Sequence, residues 1–280
     1  MRRLGFGVLG LIWALLASPL LAQQPLMSQF KPDLRVYPQF FALAEGRDGD
    51  LYIGGTDGVL RYDGGRWHLL AMPRPGAVRA LAVDADGRIW TGASDSFGYI
   101  ERDATGKERY VDLSGQFAAD LDARRFSDIW RVLVVGDEVW FQALHDVFVV
   151  SRDGRRRAYW HHDGRFGSIA DVDGVVWLQW RGEGLKQRRG DGFEMLPGGE
   201  RFAKTFIYNL VPRGDGRVLV HDTAPSLWQW EQGVFVDRTT PALVPVLAKA
   251  GVATLVDADQ VVFAGSDGQL GVLADEQQRV

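Results

Sequence analysis

Five histidines, many acidic turns and a dense set of aromatic residues are the side chains here that could do chemistry. Metal binding is the first chemistry to ask of the histidines. His161 and His162 are adjacent, and neighbours on a strand point to opposite faces, so this pair cannot close on one ion. His68, His145 and His221 are scattered, and no spacing supplies the ligand triad of a zinc site. The turns Asp84-Ala85-Asp86-Gly87, Gly214-Asp215-Gly216 and Asp257-Ala258-Asp259 look superficially like calcium loops. A calcium site needs 6–8 oxygens ending in a bidentate carboxylate, and none of these runs has that form. Tight hairpins already demand Asp and Gly for their positive φ angles. There is no cysteine, which removes disulfides, thiolate metal sites and cysteine nucleophiles. No Gly-x-Ser-x-Gly elbow, phosphate loop or dinucleotide fingerprint is present. No metal, cofactor or catalytic residue is therefore assigned. Paired carboxylates of the glycosidase kind stay open, because a fold can bring distant loops to one face.

What remains is a binding pocket made of mixed loops. Thr56-Asp57, Ser94 to Phe97, Leu144 to Asp146, Arg181 to Glu183, Asp222 to Ala224 and Ser266-Asp267 combine aromatic, charged and hydroxyl groups. That mixture suits a small-molecule or glycan ligand. The candidate ligand contacts are Phe97, Tyr99, Trp130, His145, Trp180, Arg181, His221 and Asp222. Tyr99 and Trp130 read equally well as core anchors, since aromatic residues at recurring positions usually pack inside.

Each of these loops follows the same kind of segment. The stretches DGDLYIGG (48–55), DADGRIWTGA (84–93), GDEVWFQA (136–143), DGVVWLQW (173–180), GDGRVLVHD (214–222) and DADQVVFAG (257–265) are variants of one turn and strand. Aligned on their turns, they place Tyr52, Trp90, Trp140, Trp177, Leu219 and Phe263 in one column. A period of about 40–50 residues with several strands per repeat marks an all-β chain of propeller blades, each a four-stranded antiparallel sheet. One blade cannot bury its apolar face alone, so the blades must stack around a channel. The repeats span about 41–73, 78–113, 127–160, 164–196, 204–240 and 251–280. Six repeats make either a six-bladed ring, with Gln23 to Pro38 supplying a last strand, or part of a seven-bladed one. Between the second and third repeats, Phe117, Leu121 and Phe126 fall at helical spacing after Ser114. This predicts a short helix in the connection, capped by Ser114.

Composition bounds the function. At 46% hydrophobic and 24% charged residues the chain is an ordinary globular one. Its net charge of −4 argues against nucleic acid and anionic lipid as partners. Arg2 and Arg3, the apolar run from Val8 to Leu16 and the small residue Ala22 form a secretory leader cut after residue 22. The mature chain is then expected in the periplasm, opening with an extended segment over 23–40. A core of this size can be stable there without disulfides.

Two blocks carry a family resemblance. One runs through Phe97-Gly98-Tyr99, Gly106, Tyr110, Leu113, Asp128-Ile129-Trp130 and Phe141-Gln142; the other is the recurring turn–strand pattern, clearest at 48–64. Together they resemble the two-component-regulator propeller sensors of bacteria. In that family an extracytoplasmic propeller precedes a triple-tyrosine module, a membrane helix and a signalling output. The resemblance implies a non-enzymatic sensor of a small molecule or glycan. Its output would be a histidine kinase, a diguanylate cyclase or a transcription regulator. It also implies attachment to the membrane only through a C-terminal part absent from this sequence, and allows a homodimeric parent receptor. A propeller enzyme, lyase or glycoside-active, and a protein-interaction scaffold are the rival readings, because fold alone excludes neither.

Overall fold

The structure, a computed structural model, describes residues 39–279 apart from 75, 104, 258–259, 266–269 and 275–276. The expected leader and the segment Gln23 to Pro38 lie outside the described residues.

Six four-stranded antiparallel sheets follow one another along the chain. The first blade is β1 (Phe40–Glu45), β2 (Leu51–Gly55), β3 (Gly58–Tyr62) and β4 (Trp67–Leu70). The second is β5 (Val78–Val83), β6 (Ile89–Ala93), β7 (Ser96–Arg102) and β8 (Glu108–Asp112). The third is β9 (Arg131–Val135), β10 (Glu138–Gln142), β11 (Asp146–Ser151) and β12 (Arg156–His161). The fourth is β13 (Phe166–Val172), β14 (Val175–Trp180), β15 (Gly184–Arg189) and β16 (Gly192–Met195). The fifth is β17 (Ile207–Pro212), β18 (Val218–Asp222), β19 (Leu227–Glu231) and β20 (Val234–Asp237). The sixth is β21 (Ala250–Asp257), β22 (Gln260–Gly265), β23 (Leu270–Ala274) and β24 (Gln277–Arg279). Strand order within every sheet is sequential, so each blade is a meander of hairpins. Among the described residues the sixth blade has four strands, all from residues 250–279. The first strands pack in succession, β1 on β5, β5 on β9, β9 on β13, β13 on β17 and β17 on β21. The chain is a β-propeller.

Apolar clusters sit between blades, as the repeat demanded. Trp90 faces the third blade, Trp140 the fourth and Trp177 the fifth, and all three are buried. Asp84 fixes its turn by accepting from the backbone N–H of Asp86 and Arg88, and its other oxygen takes the Trp90 indole N–H at 2.9 Å. Burial opposes its charge, but these donors and the nearby Arg152 prevail and hold its pKa below the ordinary range. The acidic turn thus serves the hairpin and the core.

The sixth member of the aromatic column is one residue out of place. Val262 pairs with Thr254 and Val272 as Trp90 pairs with Ala82 and Tyr99. Phe263 takes the place of Thr91 and packs back against Leu219 of the fifth blade. Asp257 stands one position later in its turn than Asp84, so alignment on the acidic residues shifts the strand by one. A slip of one turns every side chain to the other face.

The connection after β8 is a 3-10 turn, Ser114–Phe117, running into α1 (Ala118–Leu121). Ser114 lies inside the turn and does not cap it; Asp112 accepts from its N–H at 2.9 Å. Phe117, Leu121 and Phe126 are buried beside Phe97, Phe141 and Phe148. The insertion is therefore a lid on the core between blades two and three.

The first blade is covered differently from blades two to five. Leu81, Val132, Ile169 and Leu210 share a register position and each joins the cluster formed with the preceding blade. Leu43 holds that position in β1 and is 67% exposed, with Phe40 and Leu69 also open to solvent.

Candidate functional site

The site grows from a backbone irregularity that recurs where the innermost strands begin. Register breaks lie between Phe40 and Ala42, Val78 and Ala80, Phe166 and Ile169, Ile207 and Asn209, and Ala250 and Val252. The unpaired residues are Phe41, Arg79, Gly167 with Ser168, Tyr208 and Gly251. A bulge bends its strand and re-aims the extra side chain. Phe41 and Tyr208 at two of these breaks, and Trp130 just before the regularly paired β9, are exposed large apolar side chains among the described residues.

These side chains form a chain of contacts from blade to blade. The Arg79 guanidinium lies over Phe41 at 4.4 Å and over Trp130 at 4.9 Å. Asp128 accepts from its Nε at 2.6 Å and bonds Ser94 through its other oxygen. Trp130 is held by its backbone N–H on the Gln142 carbonyl at 2.8 Å. It opens onto a cavity of about 280 Å³. Blade three contributes Trp130, Arg131, Gln142 and Leu144 to its walls, and blade four Phe166, Gly167 and Ser168. Phe206 and Tyr208 of blade five close the far side, packed edge to face at 5.4 Å.

Buried polar groups hold that far side in place. Gln179 donates to the carbonyls of Phe202 and Thr205, each at 2.8 Å, and accepts from the Ile207 N–H at 2.9 Å. The Ser168 hydroxyl donates to the carbonyls of Ile207 at 2.8 Å and Tyr208 at 3.0 Å. Gly167 makes room for this arrangement, since a Cβ there would meet Gln179 Oε1 at 2.1 Å. Such networks, fully satisfied, rigidify what they hold.

The charge in the cavity is one-sided. Arg131 is open to the cavity yet ringed by protein, and this burial alone pushes its guanidinium pKa below the ordinary value. Its side-chain bond goes to the Trp130 carbonyl at 3.3 Å, and no carboxylate of the described residues pairs with it. Arg181 stands behind Phe206, 5.5 Å from the ring centre. None of the lining side chains is acidic.

The eight residues expected from sequence separate in the structure. Trp130 lines the cavity and Arg181 flanks it. Trp180 props Phe166 from outside, 5.0 Å away and edge to face, with Lys186 over its own ring. His145 sits in the loop beside Leu144, its Nδ1 3.1 Å from the His162 carbonyl, and ties that loop down. Phe97 is fully buried, stacked on Phe141 at 4.5 Å, and cannot touch a ligand. Tyr99 packs between Trp90 and the Arg88 guanidinium and belongs to the core. His221 is buried behind Tyr208, its Nε2 on the Leu247 carbonyl at 3.0 Å. Burial, the larger influence, lowers its pKa against that bond and the Asp222 charge. Asp222 is also buried and spends its oxygen on the Ala224 N–H and the Ser226 hydroxyl. Sequence reasoning missed Phe41, Arg79, Arg131, Phe206 and Tyr208. The available signal was an aromatic or arginine residue where each of the first five innermost strands begins.

Similarity to known proteins lies in the fold. No family model and no curated protein sequence matches the chain. Among solved structures, a catalytically inactive virginiamycin B lyase from Staphylococcus aureus with quinupristin aligns at TM-score 0.64 and 12% identity, over 84% of this chain and 80% of that one. The extracellular domain assigned to a hybrid two component system of B. thetaiotaomicron aligns at TM-score 0.62 and 11% identity. That match covers 89% of this chain and 35% of the other. YCF48 bound to D1 peptide aligns at TM-score 0.62 and 11% identity, over 88% and 84% of the two chains. Propellers of a lyase, of a sensor and of a peptide binder thus share this architecture. Among the described residues no helix is long and apolar enough to cross a membrane.

Proposed function

We propose that this chain is the ligand-binding propeller of a bacterial sensor of the two-component-regulator type. It is exported by residues 1–22 and takes a small molecule or glycan fragment at the mouth where its innermost strands begin. The observation that carries the reading is the convergence of Trp130, Arg131, Ser168, Phe206 and Tyr208 from three blades onto one cavity. Rigid aromatic walls with a few placed polar groups are what small-ligand sites use. The binding event would bias a membrane-linked output.

The test is a thermal-shift and calorimetric screen of small periplasmic metabolites on the purified chain. A ligand that binds only the folded form stabilises it by about 2.7 kcal/mol at a hundredfold excess over Kd. A hit that is lost on replacing Trp130 and Tyr208 together by Ala, with the fold kept, supports the sensor reading. Chemical conversion of the hit at this mouth replaces it with the enzyme reading.

A further inference from the structure

We infer that the ligand of this cavity is a single-ring acid, and that Arg131 receives its carboxylate. The inference rests on the ligand-binding reading above and narrows it to a chemical class. Elsewhere on the molecule guanidinium groups mostly meet acids: Arg61 meets Asp50, Arg125 meets Asp95 and Arg156 meets Asp120. Arg79, one blade away from Arg131, is already held by Asp128. At the cavity guanidinium groups do not meet acids, as they do not at Arg47, Arg88 and Arg201, which bond backbone carbonyls instead. Arg131 and Arg181 have no carboxylate partner among the described residues, and the walls offer no acidic side chain. This happens on a chain whose net charge is −4, so the excess of positive charge is local.

A guanidinium stays protonated even when burial lowers its pKa, so Arg131 carries its charge at neutral pH. Arg131 is exposed in this mouth and has no carboxylate partner among the described residues, so a ligand anion can take its guanidinium without displacing one. Carboxylate geometry matches the planar fork of arginine, giving two parallel charge-assisted bonds. Trp130, Phe206 and Tyr208 supply ring faces for the rest of the ligand. A cavity of about 280 Å³ has room for one ring with its substituents. Aromatic acids and sugar acids both have this chemistry.

Isothermal titration of the whole chain with phenylacetate and with glucuronate distinguishes those two sources. Phenylacetamide and methyl glucoside serve as uncharged counterparts. The expected result is that one acid binds at least about tenfold tighter than its neutral counterpart, an advantage that shrinks with added salt. Arg131→Gln should reduce the acid to the affinity of the neutral compound and leave the neutral compound unchanged. Arg131→Lys should recover part of the difference, and it keeps the test valid should the glutamine variant fold poorly. Equal binding of acid and neutral forms, or an acid affinity untouched by Arg131→Gln, overturns the inference while the ligand-binding reading stands. If neither class binds and the wider metabolite screen is also empty, both fail.

Discussion

By sequence Phe97 and Trp130 are both candidate ligand contacts, and the structure sends them to opposite fates, which a crossed experiment can measure. Phe97 is fully buried between two blades and a lid. Its ring lies 4.5 Å from Phe141, 4.9 Å from Phe148 and 5.7 Å from both Phe117 and Phe126. Those neighbours come from β10, β11, the 3-10 turn and the following loop, which cannot all move inward to fill one hole. Phe97→Ala should therefore cost about 3–5 kcal/mol, toward the upper end because the cavity cannot collapse. Trp130 is 39% exposed, and its main partner is the Arg79 guanidinium. Losing an exposed cation–π contact costs about 0.5–1 kcal/mol, so Trp130→Ala should barely affect stability. Ligand binding should behave in the opposite way. Trp130→Ala should abolish it, whereas Phe97→Leu, which keeps most of the core volume, should retain it. Urea unfolding monitored by Trp fluorescence, together with calorimetry on each variant, reads both axes. A Phe97→Ala cost under about 1 kcal/mol on the same scale, or loss of binding by Phe97→Leu in a stable protein, would refute the assignment.

Three further outcomes are expected. Gln179→Leu leaves the Phe202 and Thr205 carbonyls and the Ile207 N–H without their partner; at about 1–3 kcal/mol for an unsatisfied buried group, a loss near 3 kcal/mol with weakened ligand binding is predicted from urea midpoints and calorimetry, and unchanged binding would show that Gln179 does not hold the site. His221 has a folded pKa below its unfolded value of about 6.5, so the unfolded chain takes the proton first as pH falls. The stability it contributes is present above that value and is lost as pH falls from about 6.5 toward the lowered folded pKa; His221→Gln should flatten the decline in urea midpoint over that window, and an identical slope in both proteins would discount the buried histidine. Leu43→Lys should stay within about 0.5 kcal/mol of the parent, whereas Ile169→Lys at the equivalent covered position should cost about 3–5 kcal/mol or prevent folding; equal penalties at the two sites would mean that the leading face of blade one is covered in solution.

The repeat was legible in the sequence because a blade is a local unit. Its hairpins need Asp and Gly at fixed places, and its middle strands need bulky residues that face the neighbouring blade. Those demands recur wherever the unit recurs, so Trp90, Trp140 and Trp177 announce themselves without knowledge of the tertiary fold. The same local logic misplaced Phe263, because turn residues mark where a hairpin bends and cross-strand pairing decides which face a side chain takes. The candidate cavity was not legible. Gly167, Ser168 and Tyr208 sit at register breaks, where alternation no longer predicts direction, and the lining comes from blades about 40–50 residues apart by the repeat period. Whether an aromatic near a blade loop is wall or core was likewise a tertiary decision. Phe97 is sealed by the insertion that carries Phe117 and Phe126, while Tyr208 is turned outward by a bulge that Ser168 and Gln179 lock from the adjacent blade.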